Sequence, residues 1–126
     1  MNLGTRNNNW GNLRYDPANH WKGQTGQEKG YCTFDTVGHG LRAMRKVLTH
    51  YIDAGYKTVE DIIYRYAPPE ENDTENYIAN VCEWSGMVRD ELVTRTVGLQ
   101  ALIKAMVRME TGNTPTDDQC IEMWEE

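Results

Sequence analysis

Phenylalanine occurs once in this 126-residue chain, and its apolar runs are only a few residues long. A helix that crosses a bilayer needs roughly 20 apolar residues in a row, so a membrane span is excluded. The opening Met1-Asn2-Leu3-Gly4-Thr5-Arg6 carries no apolar stretch behind its charge, which predicts no secretory leader. Cysteine is scarce and odd in number. Cys32, Cys82 and Cys120 lack CxxC spacing, and His20, His39 and His50 form no ligand cluster with them. The expectation is three reduced, packed thiols, no metal centre and no cofactor. No Cys–His arrangement points to an activated thiol nucleophile either.

An excess of positive charge is confined to the front of the chain. Residues 1–50 hold seven Lys/Arg against three Asp/Glu, whereas residues 51–126 hold six against sixteen, so the formal −6 is a +4 front joined to a −10 remainder. Neutralising phosphates needs a basic surface, so nucleic acid is not an expected partner. The basic front can line a groove for an acidic ligand, or serve only as a solvated face.

What is present is aromatic mass of another kind, seven Tyr and four Trp, enough for one core in a single domain over residues 1–126. Residues 1–36 are punctuated by Asn7-Asn8-Asn9, Gly11-Asn12, Asp16-Pro17, Gly23, Gly26 and Gly30, a pattern of turns. Within them, 12–15 and 30–35 are short β-prone stretches suited to a hairpin. From Val37 the period becomes helical: Leu41, Met44, Val47, Leu48, Tyr51 and Ile52 share a face that Gly55 ends. Thr58 opens a second helix, closed by Pro68-Pro69. Asn72-Asp73-Thr74 opens a third, stopped near Gly86, and a fourth runs over about 98–110. Residues 90–96 suit at most one helical turn. Thr114-Pro115-Thr116 starts a short terminal helix with Ile121 and Trp124. The fold class is therefore α+β, mostly α, with a small β region at the front.

One acid interrupts this order. At about 100° per residue, Glu110 falls within about 20° of Leu99, inside the stripe of Leu102, Ile103, Met106 and Val107. A carboxyl there meets partial burial and the negative end of the helix dipole, and both favour the protonated form. A proton held near neutral pH suits a general acid. The plainer alternative is a helix that frays before Glu110 and leaves it in water.

Blocks of the sequence carry a resemblance. Arg6-Asn7-Asn8-Asn9-Trp10-Gly11-Asn12-Leu13-Arg14-Tyr15, Trp21-Lys22-Gly23-Gln24, Tyr31-Cys32-Thr33-Phe34-Asp35-Thr36 and Gly38-His39-Gly40-Leu41-Arg42-Ala43-Met44 resemble a lysozyme-like family of tailed-phage virion proteins. So do Tyr66-Ala67-Pro68-Pro69-Glu70-Glu71-Asn72-Asp73-Thr74, Tyr77-Ile78 and the helix end at Glu110-Thr111-Gly112, which extends the resemblance over nearly the whole chain. Departures are Trp10, where that pattern has Pro, and Thr111, where it often has Asn. The order of blocks is also similar to flagellar-type peptidoglycan glucosaminidases, whose catalytic Glu ends a helix that precedes the Asn block. Here only six residues precede Asn7, too few for that helix, and the expectation is a circular permutant in which the helix over residues 98–112 takes its place and Glu110 that of the acid.

The resemblance implies a phage-encoded peptidoglycan glycosidase, of lysozyme or lytic transglycosylase type, that cleaves the β-1,4 glycan strand. The alternative it implies is a virion structural protein that keeps the shape without the chemistry. Glu110 would protonate the leaving oxygen, and Asp16 or Asp35 would activate water, with Glu28 as a further candidate; a transglycosylase needs no such base. Asn7, Asn8, Asn9 and Asn12 offer amides to sugar hydroxyls, or form turns through their own side chains. Tyr15 and Trp21 offer flat faces to sugar rings, and Arg14 and Lys22 can meet carboxylates. Tyr66, Asn72, Asp73 and Tyr77 would line the far wall of the groove. Expected partners are the glycan strand and other virion proteins; expected locations are the virion or host cytoplasm, with action in the periplasm.

Overall fold

A computed structural model describes residues 1–126. Its order is α1 (Leu3–Arg6), β1 (Gln24–Glu28), β2 (Tyr31–Phe34), α2 (Val37–Asp53), α3 (Val59–Tyr66), α4 (Thr74–Ser85), α5 (Leu99–Thr111) and α6 (Asp117–Met123). The α+β, mostly helical class is what the periodicity indicated. No helix is long and apolar enough to cross a membrane.

The helices begin where side chains can satisfy orphan amides. Thr36, Thr58, Asp73 and Thr116 each accept a bond from the backbone N–H three residues on. Only at Thr116 is the bond returned, by Gln119, which completes a capping box on α6. Chain-reversing residues end α4 and α5: Gly86 and Gly112 take left-handed φ values of 75° and 80°.

Packing places α2 at the centre, with α3, α5, α6 and β2 against it, while α5 lies along α4. Leu41, Met44 and Leu48 of α2, Ile62 and Ile63 of α3, and Leu102, Ile103 and Met106 of α5 are fully buried in one continuous core. Truncating any of these to Ala removes about 2–5 kcal/mol. The chain end is tied down too: Arg45 donates to the Met123 carbonyl at 2.8 Å and stacks its guanidinium 5.0 Å from the Trp124 ring.

Two expectations for local structure need correction. The hairpin partner of β2 is Gln24–Glu28, reversed by Lys29 and Gly30 at φ 53° and 86°, not the stretch 12–15. Residues 12–15 touch the sheet through one bridge, Arg14 to Tyr31. Asn9 prevents more than this: it is 1% exposed, and its side chain bonds Leu13 N–H, Leu13 carbonyl and Cys32 carbonyl. It thereby takes up ladder partners itself. Residues 90–96 form no helical turn. Their backbone pairs with the start of α3 instead, through Val59 N–H to Glu91 O, Val93 N–H to Lys57 O and a Thr58–Leu92 bridge. The one-turn α1 had no apolar period to announce it.

Candidate functional site

Glu110 lies in the last turn of α5, and the helix does not fray before it. The segment that follows is fastened to the N-terminus: Asn2 Nδ2 donates to Thr111 O at 3.1 Å, Thr111 Oγ1 to Trp10 O at 3.3 Å and Asn113 Nδ2 to Thr5 Oγ1 at 2.8 Å. Gly4 allows this approach. A Cβ there would come within 2.5 Å of Asn12 Oδ1 and 2.8 Å of Thr111 Cγ2. Residues about a hundred positions apart thus meet at one point.

The carboxyl of Glu110 is held by two neutral donors. Asn12, in a left-handed backbone conformation at φ 53°, donates its Nδ2 to Oε1 at 3.0 Å. The Tyr77 hydroxyl, reaching from α4, donates to Oε2 at 2.8 Å. Tyr66 completes the wall: its hydroxyl donates to the Gly11 carbonyl, and a Cβ at Gly11 would stand 2.8 Å from that hydroxyl oxygen. Burial pushes the Glu110 carboxyl above its ordinary range, and the Asn12 and Tyr77 bonds offset that only in part. The phenols of Tyr66 and Tyr77 are driven far up, first by burial and then by the charge of Glu110, so both remain neutral donors.

Glu110 opens onto a hollow of about 230 Å³, lined also by Asn12, Arg14, Tyr31, Tyr66, Ala67, Glu71 and Asn72. A second hollow of about 540 Å³ adjoins it, shares Asn12, Arg14 and Tyr66, and adds Tyr15, Asp16, Asn19 and Tyr51. A third, of about 260 Å³, shares Tyr15 and reaches His20, Trp21 and Gln24. The three form a run of polar and aromatic surface that starts at the buried carboxyl. An open, extended groove suits a chain-like ligand with hydroxyls and flat faces better than a compact one.

The candidates from the sequence divide between this groove and the scaffold. Glu110, Asn12, Arg14, Tyr15, Asp16, Trp21, Tyr66 and Asn72 line it, and Tyr77 stands behind Glu110. Asn7, Asn8 and Asn9 are engaged elsewhere. Asn7 donates to Glu28 Oε1 at 2.8 Å, Asn8 to the Phe34 and Asp35 carbonyls, and Asn9 to the loop described above. Asp35 lines none of the three hollows. Its Oδ1 lies 2.7 Å from His39 Nδ1, a contact that lowers its carboxyl below the ordinary range. Arg6 and Asn7 do the same to Glu28. Lys22 faces the chain end, 3.4 Å from Glu125, and Asp73 caps α4. Trp10 lines none of the hollows either, and its buried indole N–H has no acceptor.

Beside Glu110, Tyr31 and Glu71 were not singled out as site residues in the sequence, and farther along the groove neither were Asn19, Tyr51, His20 and Gln24. Glu71 sits inside the Ala67-Pro68-Pro69-Glu70-Glu71-Asn72 block, but only the turn after Pro68 shows which of its two glutamates faces inward. Acidic side chains also gather at His39, where Glu122 and Glu125 bring ligand-type atoms within 4.8 Å of one another. There Thr36 donates to Glu122 at 2.5 Å and Lys22 approaches Glu125, so the cluster ties α6 and the tail to α2.

No protein-family model matches the chain. It is 38% identical over 117 residues to protein P5 of Pseudoalteromonas phage PM2, a match that takes in 89% of this chain and 72% of that protein.

Proposed function

The chain belongs to the family of protein P5 of phage PM2, and from that premise we propose that it is a phage glycosidase that acts on the β-1,4 glycan strand of bacterial peptidoglycan. One observation carries the reading: a carboxyl raised by burial, held by two neutral donors, at the head of a polar and aromatic groove. In this reading the domain is lysozyme-like and permuted, with the acid supplied by the end of α5 and the groove by the N-terminal segment.

The strand lies along the groove with sugar rings against Tyr15 and Trp21. Asn12 does double duty, since it orients Glu110 and borders both hollows at the turn of the groove. Glu110 passes its proton to the glycosidic oxygen as positive charge develops at the anomeric carbon. The carboxylate left behind is stabilised by the Tyr77 and Asn12 donors already in place, so little reorganisation is needed. Partners in the reading are the glycan and other virion proteins, and the working location is the virion and then the periplasm.

A second reading has a specific support of its own. Asn7, Asn8 and Asn9, the most distinctive block of the sequence, serve the scaffold, and the relative is identified only as a phage protein. A virion structural protein with this shape and no turnover fits both facts. The test is the turbidity of outer-membrane-permeabilised Gram-negative cells treated with the protein or with Glu110→Gln of unchanged circular dichroism. Clearing by the native protein and a loss of at least about 100-fold in the variant supports the glycosidase. Equal clearing by both, or none by either, leaves the structural reading.

A further inference from the structure

Eight residues line the hollow beside Glu110, and two of them carry carboxyls: Glu110 itself and Glu71. They arrive from different parts of the chain. Glu110 ends α5, whereas Glu71 sits in the turn between α3 and α4, where its N–H bonds the Pro68 carbonyl at 3.0 Å. Their surroundings are opposite. Both oxygens of Glu110 are occupied by neutral donors in a half-buried site. Glu71 is half-exposed, pairs through Oε2 with Arg14 at 3.0 Å, and its Oε1 accepts no bond from the protein. Burial favours the proton on Glu110, whereas Glu71 lines the same hollow beside a cation and keeps one oxygen unbonded, a division of environment that suits one carboxyl to acid work and the other to base work.

We propose that Glu71 is the second catalytic carboxylate, the base that activates water for an inverting hydrolysis; this rests on the glycosidase reading. Glu110 delivers its proton to the glycosidic oxygen, and the bond from that oxygen to the anomeric carbon breaks. A water held by Glu71 Oε1 forms the new bond to the anomeric carbon from the opposite face, and its proton passes to Glu71. One water is consumed, nothing is oxidised or reduced, and the two carboxyls return to their starting states by exchanging a proton with solvent. Arg14, which also lines the hollow, holds Glu71 through Oε2 and so positions it. The other candidates lack this placement: Asp16 lies in the neighbouring hollow with its Oδ1 bonded to Ala18 N–H, and Asp35 is held by His39.

The experiment compares wild type, Glu71→Ala and Glu110→Gln on purified peptidoglycan glycan strands, with products identified by mass spectrometry in ¹⁸O-labelled water. The expected result is a labelled reducing end from wild type and a fall of at least about 100-fold in kcat for Glu71→Ala. Added azide should restore part of that turnover and leave a glycosyl azide of inverted configuration. A structural role for Glu71 would give no azide rescue, and that result overturns the proposal. An unlabelled anhydro-sugar product, or Glu71→Ala turning over at the wild-type rate while Glu110→Gln is inactive, also overturns it and leaves the glycosidase reading intact. Full activity in Glu110→Gln, or no cleavage by wild type, fails both together.

Discussion

Glu110 and Glu75 make a natural pair. Each accepts a tyrosine hydroxyl, Tyr77 for the first and Tyr64 for the second, yet their carboxyls move in opposite directions. Glu75 stands on the open face of α4 and takes two further bonds from the Arg89 guanidinium, both at 2.9 Å, which hold it down at about 2. Glu110 has an asparagine amide where Glu75 has an arginine, and it is withdrawn from water, so burial outweighs its donors and lifts it. A tyrosine contact alone therefore says little about the charge of a glutamate. A cation and open solvent make a fixed anion on a stable surface; burial that neutral donors offset only in part leaves a proton available for transfer.

The largest effect expected from breaking the contrast is at Tyr77. Tyr77→Phe leaves Glu110 Oε2 without its donor and should cost about 1–3 kcal/mol in denaturant unfolding. Since the lost bond favoured the anion, the Glu110 carboxyl should rise further, and the alkaline limb of any pH–activity profile should move to higher pH. A limb that moves down would show that the phenol does not stabilise the carboxylate.

The pH dependence of stability sharpens the comparison next. Glu110 binds its proton more tightly folded than unfolded, so that stabilisation is complete below the unfolded value and is lost as pH rises through the folded one. Glu110→Gln should therefore gain on wild type in melting temperature as pH rises through that window. For Glu75 the sign reverses. Its contribution is present above the unfolded value of about 4.3 and is lost as pH falls towards the folded value, so Glu75→Gln should be at a disadvantage near neutral pH that disappears in acid. Matching pH trends in the two variants would contradict the assignment.

The smallest effect is expected from Arg89→Ala. The Glu75 carboxyl should return upward towards the ordinary range in an NMR titration. The melting temperature should change less than in Tyr77→Phe, because an exposed ion pair is screened by water and salt.

The helical part of this molecule was legible because its signals are local. Leu41, Met44 and Leu48 repeat at helical spacing, and Thr36, Thr58, Asp73 and Thr116 each stand where an orphan amide needs them. Glu110 was legible for the same reason, since an acid on an apolar stripe conflicts with its own helix. The N-terminal 36 residues were legible only in part: the front β region and its strand within 30–35 were, but the partner strand was not, because the order of residues 7–15 comes from side chains bonding distant backbone. Asn9 spends its amide on Leu13 and Cys32, and Asn8 spends its own on Phe34 and Asp35, contacts that no period encodes. The same holds for Glu71, which gains its meaning from Arg14, fifty-seven positions earlier. Composition around the asparagines was equally consistent with sugar binding and with turns; for Asn12 the structure puts the side chain on the groove, and for Asn9 in the core.

The most direct measurement is a site-resolved NMR titration of the Glu110 side-chain carboxyl carbon in the folded protein, with Glu110→Gln to assign the signal. The midpoint predicted by burial between Tyr77 and Asn12 lies above the ordinary glutamate value of about 4.3, while the Glu75 signal titrates well below it. A Glu110 midpoint at or below the ordinary value would contradict the account, because the carboxyl would then hold no proton to give.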